Sequence, residues 1–236
     1  MVKFKINNTV AYFDEETYNL KINSKTLTPN IRTYKEMKSL YFEDDSNLKE
    51  NDALYLMYRG VYLSEQDKNL FEKYNLRYDI TVILPKIIWK EYNKTFWHYH
   101  PKASNGAFYE ELYQVLHWKA IYLQQNNEKI FYTLANKSDV VLMKSWFWHV
   151  TINPSKNELL MMANIVSWNF SSIYDEYKEK KWAMYYFTTN NTWVKNKNYS
   201  QDINLVEIND FFSVNSDLYW DFLQSPEKFK FLSPGS

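Results

Sequence analysis

The chain has 236 residues, with 28 basic and 28 acidic side chains and no cysteine. That length suits one domain of ordinary size, with or without appendages. The charge balance argues against a nucleic-acid binder or a basic membrane-surface protein, and the missing thiols exclude disulfides, thiolate metal sites and a Cys nucleophile.

A reducing cytoplasm is the expected compartment. The first eight residues lack the apolar core of a signal peptide. The most apolar stretch, residues 159–166, is far shorter than the ~20 residues a bilayer needs and contains Asn164. Phe, Trp and Tyr make up 19% of the chain, too much for disorder.

In chain order, residues 2–13 alternate weakly and predict a strand or two. Residues 21–32 are mostly polar and hold Thr28-Pro29-Asn30, a loop signature. Short helices are expected at 33–40 and 64–74. The second opens on Ser64-Glu65-Gln66-Asp67, an N-cap followed by acids. From residue 77 the character changes to short β-branched and aromatic runs: 80–84, 95–100, 111–117, 119–124, 129–134, 140–143, 149–153, 158–166, 182–187 and 192–195. Asn105-Gly106 and Asn126-Asn127 are turn pairs. Many short strands without βαβ alternation predict an all-β sandwich or barrel. Helices are expected again at 204–212 and 216–222, before a Pro-containing tail. The expected organisation is an N-terminal extension (1–31), a barrel domain with preceding helices (32–200) and a helical tail (201–236).

The four histidines are His98, His100, His117 and His149. On a strand, His98 and His100 share one face. Glu111 opens the next strand, and His149 opens a later one. Three imidazoles and a carboxylate are a ligand set for a divalent first-row metal. Such an ion can act as a Lewis acid beside a carbonyl. Taken singly, each residue has an ordinary structural reading. His149 is then a hydrogen-bonded strand residue, His117 a strand-end residue and Glu110 a solvated neighbour.

The surrounding words give the set its meaning. They are Arg77-Tyr78-Asp79-Ile80-Thr81-Val82, Lys90-Glu91-Tyr92-Asn93-Lys94-Thr95, His98-Tyr99-His100-Pro101, Tyr109-Glu110-Glu111-Leu112-Tyr113-Gln114-Val115-Leu116, His149-Val150-Thr151-Ile152-Asn153-Pro154 and Lys195-Asn196-Lys197-Asn198-Tyr199. From about Arg32 to Tyr199 the chain resembles the cupin-type glucose-6-phosphate isomerases. The resemblance implies an all-β cupin barrel (a double-stranded β-helix or jelly roll) and a cytoplasmic homodimer of glycolysis and gluconeogenesis. It implies one divalent metal ion (Fe, Mn, Ni or Zn) on His98, His100, Glu111 and His149. It also implies sugar-phosphate binding by Thr81, Thr95 and Tyr113, with Glu111 as the candidate catalytic base. No nucleic-acid or membrane partner is expected. A cupin Fe(II) dioxygenase and a non-catalytic sugar-binding cupin are the competing readings.

One feature departs from the family. The chain has 3 Gly and 9 Trp, where average usage gives about 16 or 17 Gly. Trp89, Trp97, Trp118, Trp148 and Trp182 stand where the family has Gly, and Trp146 and Trp168 fit the same pattern. Trp193 matches a family Trp. A turn Gly often has a positive φ, which costs a bulky residue about 1–3 kcal/mol. Both odd counts follow if UGA is read as Trp where the source decodes it as Gly. The other explanation is a diverged chain with an obstructed site. Peptide mass spectrometry of the native protein is expected to find Gly at 89, 97 and 118; Trp at those positions refutes the recoding.

Overall fold

The computed structural model describes residues 1–43, 46–171, 173 and 180–235. Four short strands open the chain: β1 (Val2–Ile6), β2 (Thr9–Phe13), β3 (Leu20–Ile22) and β4 (Lys25–Leu27). They form an antiparallel meander. Asn7 and Asn23, both at φ +53°, make its first and third reversals. The stretch 21–32 was expected to be a loop. Instead it carries parts of β3 and β5 and all of β4, because Leu20, Ile22 and Leu27 supply an apolar face that the polar composition concealed.

β5 (Asn30–Thr33) leads into α1 (Tyr34–Met37), where Thr33 and Glu36 form a capping box. β6 (Ala53–Tyr58) follows, a strand absent from the expected elements. α2 (Glu65–Lys73) starts at Ser64, whose hydroxyl accepts from the Asp67 N–H, as the sequence predicts. Then come β7 (Leu76–Ile83), β8 (Ile87–Ile88), β9 (Glu91–Tyr92), β10 (Glu111–His117), β11 (Lys119–Gln125), β12 (Ile130–Asn136), β13 (Val140–Met143), β14 (Trp148–Ile152), β15 (Leu160–Ser167), β16 (Tyr185–Phe187) and β17 (Trp193–Lys195).

A six-stranded sheet in the order β13-β10-β15-β7-β6-β5 makes one wall. A second sheet contains β14, β11 and β12. The predicted all-β class is the fold observed. The end of the chain differs in part. Residues 205–207 form β18 (Leu205–Glu207), a strand parallel to β12, where a helix was expected. Three residues at an open edge gain ladder hydrogen bonds that an isolated helical turn cannot match. α3 (Leu218–Gln224) follows on an Asp217 cap, and the tail continues as a 3-10 helix, Pro226–Leu232.

The central strands β10, β15 and β7 of the six-stranded sheet are buried on both faces. All eight residues of β15 are buried, which explains why this strand reads as a continuous apolar run. On the outer face, Tyr78, Leu112 and Ile165 pack with Phe4 and Phe13 of the meander, Phe71 of α2 and Phe222 of α3. On the inner face, alternate residues of the same strands point towards the second sheet.

Three asparagines of the resemblance words clamp this frame. The Asn93 amide donates to the Leu54 and Leu84 carbonyls, Asn153 to Ile83 and Glu158, and Asn196 to Lys180 and Ala183. Lys94 is buried beside Glu91 and lies 3.5 Å over the Trp182 ring. Burial lowers the Lys94 pKa to about 8, against the pull of Glu91. No helix among the described residues is long and apolar enough to cross a membrane.

The tryptophans fall into two groups. Trp89, Trp118 and Trp146 have φ of +52°, +68° and +68°. Trp118 sits at the crossing from β10 to β11, and Trp146 is 60% exposed. Trp97, Trp148 and Trp182 lie outside that backbone region, so positive-φ strain does not extend to them. They pack together instead, with Trp97 centroids 6.4 Å from Trp148 and 5.7 Å from Trp182. Trp118→Gly is expected to raise stability by about 1 kcal/mol, while Trp118→Ala keeps the strained φ and gives no such gain. Urea-denaturation midpoints of the three proteins check this.

Candidate metal centre

β10 places Glu111 at its first position, facing the interior with Tyr113, while Leu112 and Leu116 join the outer core. β14 brings His149 in. His98 and His100 come from residues 95–100, expected to be a strand. This segment is extended but makes only isolated bridges, among them His98 to His149. The Thr95 side chain explains part of the interruption. Its Oγ1 accepts the Thr151 N–H at 3.0 Å, a position a ladder gives to a backbone carbonyl.

The four side chains converge: one ligand atom from each of His98, His100, Glu111 and His149 lies within 4.8 Å of the others. Glu111 Oε2 is 3.3 Å from His100 Nε2 and 3.5 Å from His149 Nε2. Its Oε1 accepts from the Asn164 amide at 2.6 Å. His98 Nδ1 contacts the Phe96 carbonyl at 3.0 Å, and His100 Nδ1 the Tyr109 carbonyl at 3.3 Å. If each Nδ1 carries the proton, Nε2 is left as the lone pair facing inward.

The electrostatics agree. Burial, followed by the neighbouring imidazoles, pushes His98 well below its ordinary pKa; burial also lowers His149. Neutral imidazoles are the form that ligates. Burial opposes ionisation of Glu111, but the facing His100 and His149 outweigh it and hold the carboxyl below the usual range. Burial, then the adjacent Glu111 charge, keeps the Tyr113 phenol protonated. Among the described residues, His149 Nε2 is buried with no hydrogen-bond partner. A divalent cation fits this donor set: it would take up that nitrogen and balance the buried Glu111 carboxylate.

A cavity of about 350 Å³ opens on the cluster, and Thr81, Thr95 and Tyr113 line it with His98, His100 and Glu111. A larger open groove of about 640 Å³ past Tyr99, Trp146 and Trp148 holds none of the four candidate ligands. His117 stands apart, 3.9 Å from Glu158. Glu110 accepts the Ser145 N–H and is not in the cluster.

Sequence reasoning missed Asn164, which fixes Glu111. The available signal was one amide in the middle of an apolar run. It also missed Arg32, Arg59, Arg77 and Asp79 on the cavity wall.

The sequence model of the glucose-6-phosphate isomerase family matches residues 31–204, well over half of the chain. No curated protein matches it. Among solved structures it is similar to vicilin from Corylus avellana, with 13% identity, a TM-score of 0.41, and coverage of 63% of this chain and 34% of that one. It is similar to oxalate oxidase in complex with the substrate analogue glycolate, with 10% identity, a TM-score of 0.40, and coverage of 60% and 66%. A cupin-2 domain from Rhodospirillum rubrum gives 8% identity, a TM-score of 0.37, and coverage of 61% and 74%. The chain spans less than two thirds of the vicilin and of the oxalate oxidase.

Adding a divalent first-row metal at a hundredfold excess over its Kd is expected to raise Tm by about 5–10 °C. His149→Ala and Glu111→Gln should abolish the shift and the bound metal found by elemental analysis. An unchanged shift in both variants refutes the centre.

Proposed function

This chain belongs to the cupin-type glucose-6-phosphate isomerase family, and from that premise we propose that it interconverts glucose 6-phosphate and fructose 6-phosphate, a step of glycolysis and gluconeogenesis. The observation that carries the reading is the convergence of His98, His100, Glu111 and His149 on a cavity whose wall also holds Thr81, Thr95 and Tyr113. A divalent cation held by those four residues would supply Lewis-acid polarisation of adjacent substrate oxygens.

The chain's own groups supply the rest. Glu111 stays ionised, as a base must, and its Oε2 side faces the cluster; we assign it the proton moved between C1 and C2. A carboxylate held this low binds a proton only briefly, which suits a relay that returns it at once. Asn164 fixes the other oxygen and stops the carboxylate from rotating. Tyr113 keeps its proton and donates to a substrate oxygen. Thr95 accepts from the backbone and retains its hydroxyl hydrogen for the sugar phosphate.

Trp97 and Trp148 directly precede His98 and His149 and stack on each other, filling the space behind two candidate ligands. A coupled isomerase assay, with and without chelator, tests the reading. Turnover is expected to need the metal and to rise in the Trp97→Gly/Trp148→Gly protein. Oxygen consumption in its place favours a dioxygenase, and sugar-phosphate binding without turnover favours a binding protein.

A further inference from the structure

The chain has three arginines, Arg32, Arg59 and Arg77, and all three line the cavity that holds the candidate metal ligands. They are far apart in sequence. The order β15-β7-β6-β5 brings them onto one wall. No lysine lines this cavity among the described residues.

Two of them form a unit. Asp79 is 4% exposed, and its Oδ2 accepts from Arg77 Nε at 2.8 Å and from Arg59 NH1 at 3.4 Å. Its Oδ1 accepts the Gly60 N–H at 2.9 Å. One carboxylate therefore holds two guanidinium groups side by side and leaves one positive charge over. Arg77 spends Nε on Asp79, and among the described residues its two terminal nitrogens make no hydrogen bond. Its side chain is 15% exposed and lies over the Trp168 ring, 5.1 Å from the centroid. A largely desolvated guanidinium with open terminal donors is shaped for an oxyanion.

The wall also fixes the distance. Arg77 pairs with Val166, and Leu112 with Ile165, so Arg77 falls in the same cross-strand row as Glu111. The two lie two strands apart, ~10 Å along the sheet before the side chains lean inward. That matches a small chain of carbons with a polar oxygen pair at one end and an anion at the other. The resemblance implies only hydroxyls at the phosphate. Thr81, Thr95 and Tyr113 offer donors but no charge, and Tyr113 lies beside the Glu111 carboxylate, which repels a dianion.

We propose that Arg77 and Arg59, held together by Asp79, supply the charge that binds the phosphate monoester of the substrate. They are specificity-determining residues, and Asp79 is a positioning residue. The proposal rests on the sugar-phosphate reading of the same cavity.

Calorimetric titration of the metal-loaded protein with glucose 6-phosphate and with glucose tests it. Arg77→Gln is expected to weaken glucose 6-phosphate binding about tenfold or more and to leave glucose binding unmoved. Arg77→Lys should recover part of the loss. KM for the phosphorylated sugar should rise far more than kcat falls. If Arg77→Gln does not fold, Arg77→Gln/Asp79→Asn removes the buried partner charge with it, and the half-exposed Arg59→Gln gives a separate reading. Wild-type affinity for glucose 6-phosphate in the arginine variants overturns the subsite and leaves the isomerase reading standing. Arginine-dependent binding without turnover in the wild type supports the subsite and removes the isomerase. No binding by the wild type overturns both.

Discussion

One buried carboxylate organises this molecule. Glu111 is 3% exposed and ionised, and the side chains beside it are the Asn164 amide, the Tyr113 phenol and the His100 and His149 imidazoles. A buried charge must be matched or neutralised. Among the described residues no Lys or Arg pairs with it, and a buried imidazole nitrogen beside it has no hydrogen bond. The carbonyls of Phe96 and Tyr109 turn the His98 and His100 imidazoles towards the same point. A cation held at this point would offset the cost of burying the carboxylate and so couple folding to metal binding.

The rest of the architecture makes that interior possible. The six-stranded sheet is covered on its outer face by the N-terminal meander, α2 and α3. A second apolar cluster, with Ile83, Val115, Leu160 and Met162 of the same strands, packs on the inner face. That inner face also carries Glu111, Asn164, Asp79 and Arg77. Two carboxylates share this wall without either lacking partners. Asp79 is met by two guanidinium groups, and Glu111 faces the cluster of histidines.

The tryptophans bear on this design in two ways. At 89, 118 and 146 the backbone takes a left-handed conformation that suits glycine and strains a side chain with a Cβ. At 97, 148 and 182 the backbone is ordinary and the burden is volume: three indoles share one buried region, and among the described residues the buried Trp182 Nε1 has no hydrogen bond. The tryptophans thus differ physically: conformation is the issue at the turns and volume beside the candidate ligands.

Much of this was legible before any coordinates. Short β-branched and aromatic runs from residue 77 onward placed most strands, the Ser64 cap placed α2, and the pairing of His98 with His100 needed only the pleat of an extended chain. Local chemistry decides such features, so a local reading finds them. Three things stayed hidden. β18 gains its hydrogen bonds from β12, a strand distant in sequence, and the polar residues of β3 and β4 concealed a strand pair. Thr95 interrupts its own ladder through a side-chain contact with Thr151. The arginine wall joins three strands that share no motif. The sequence by itself determined the strand-rich class and the residue types able to hold an ion. Only the tertiary structure decided which of them meet, because strand order and register, set by packing across the whole sheet, fix which side chains become neighbours.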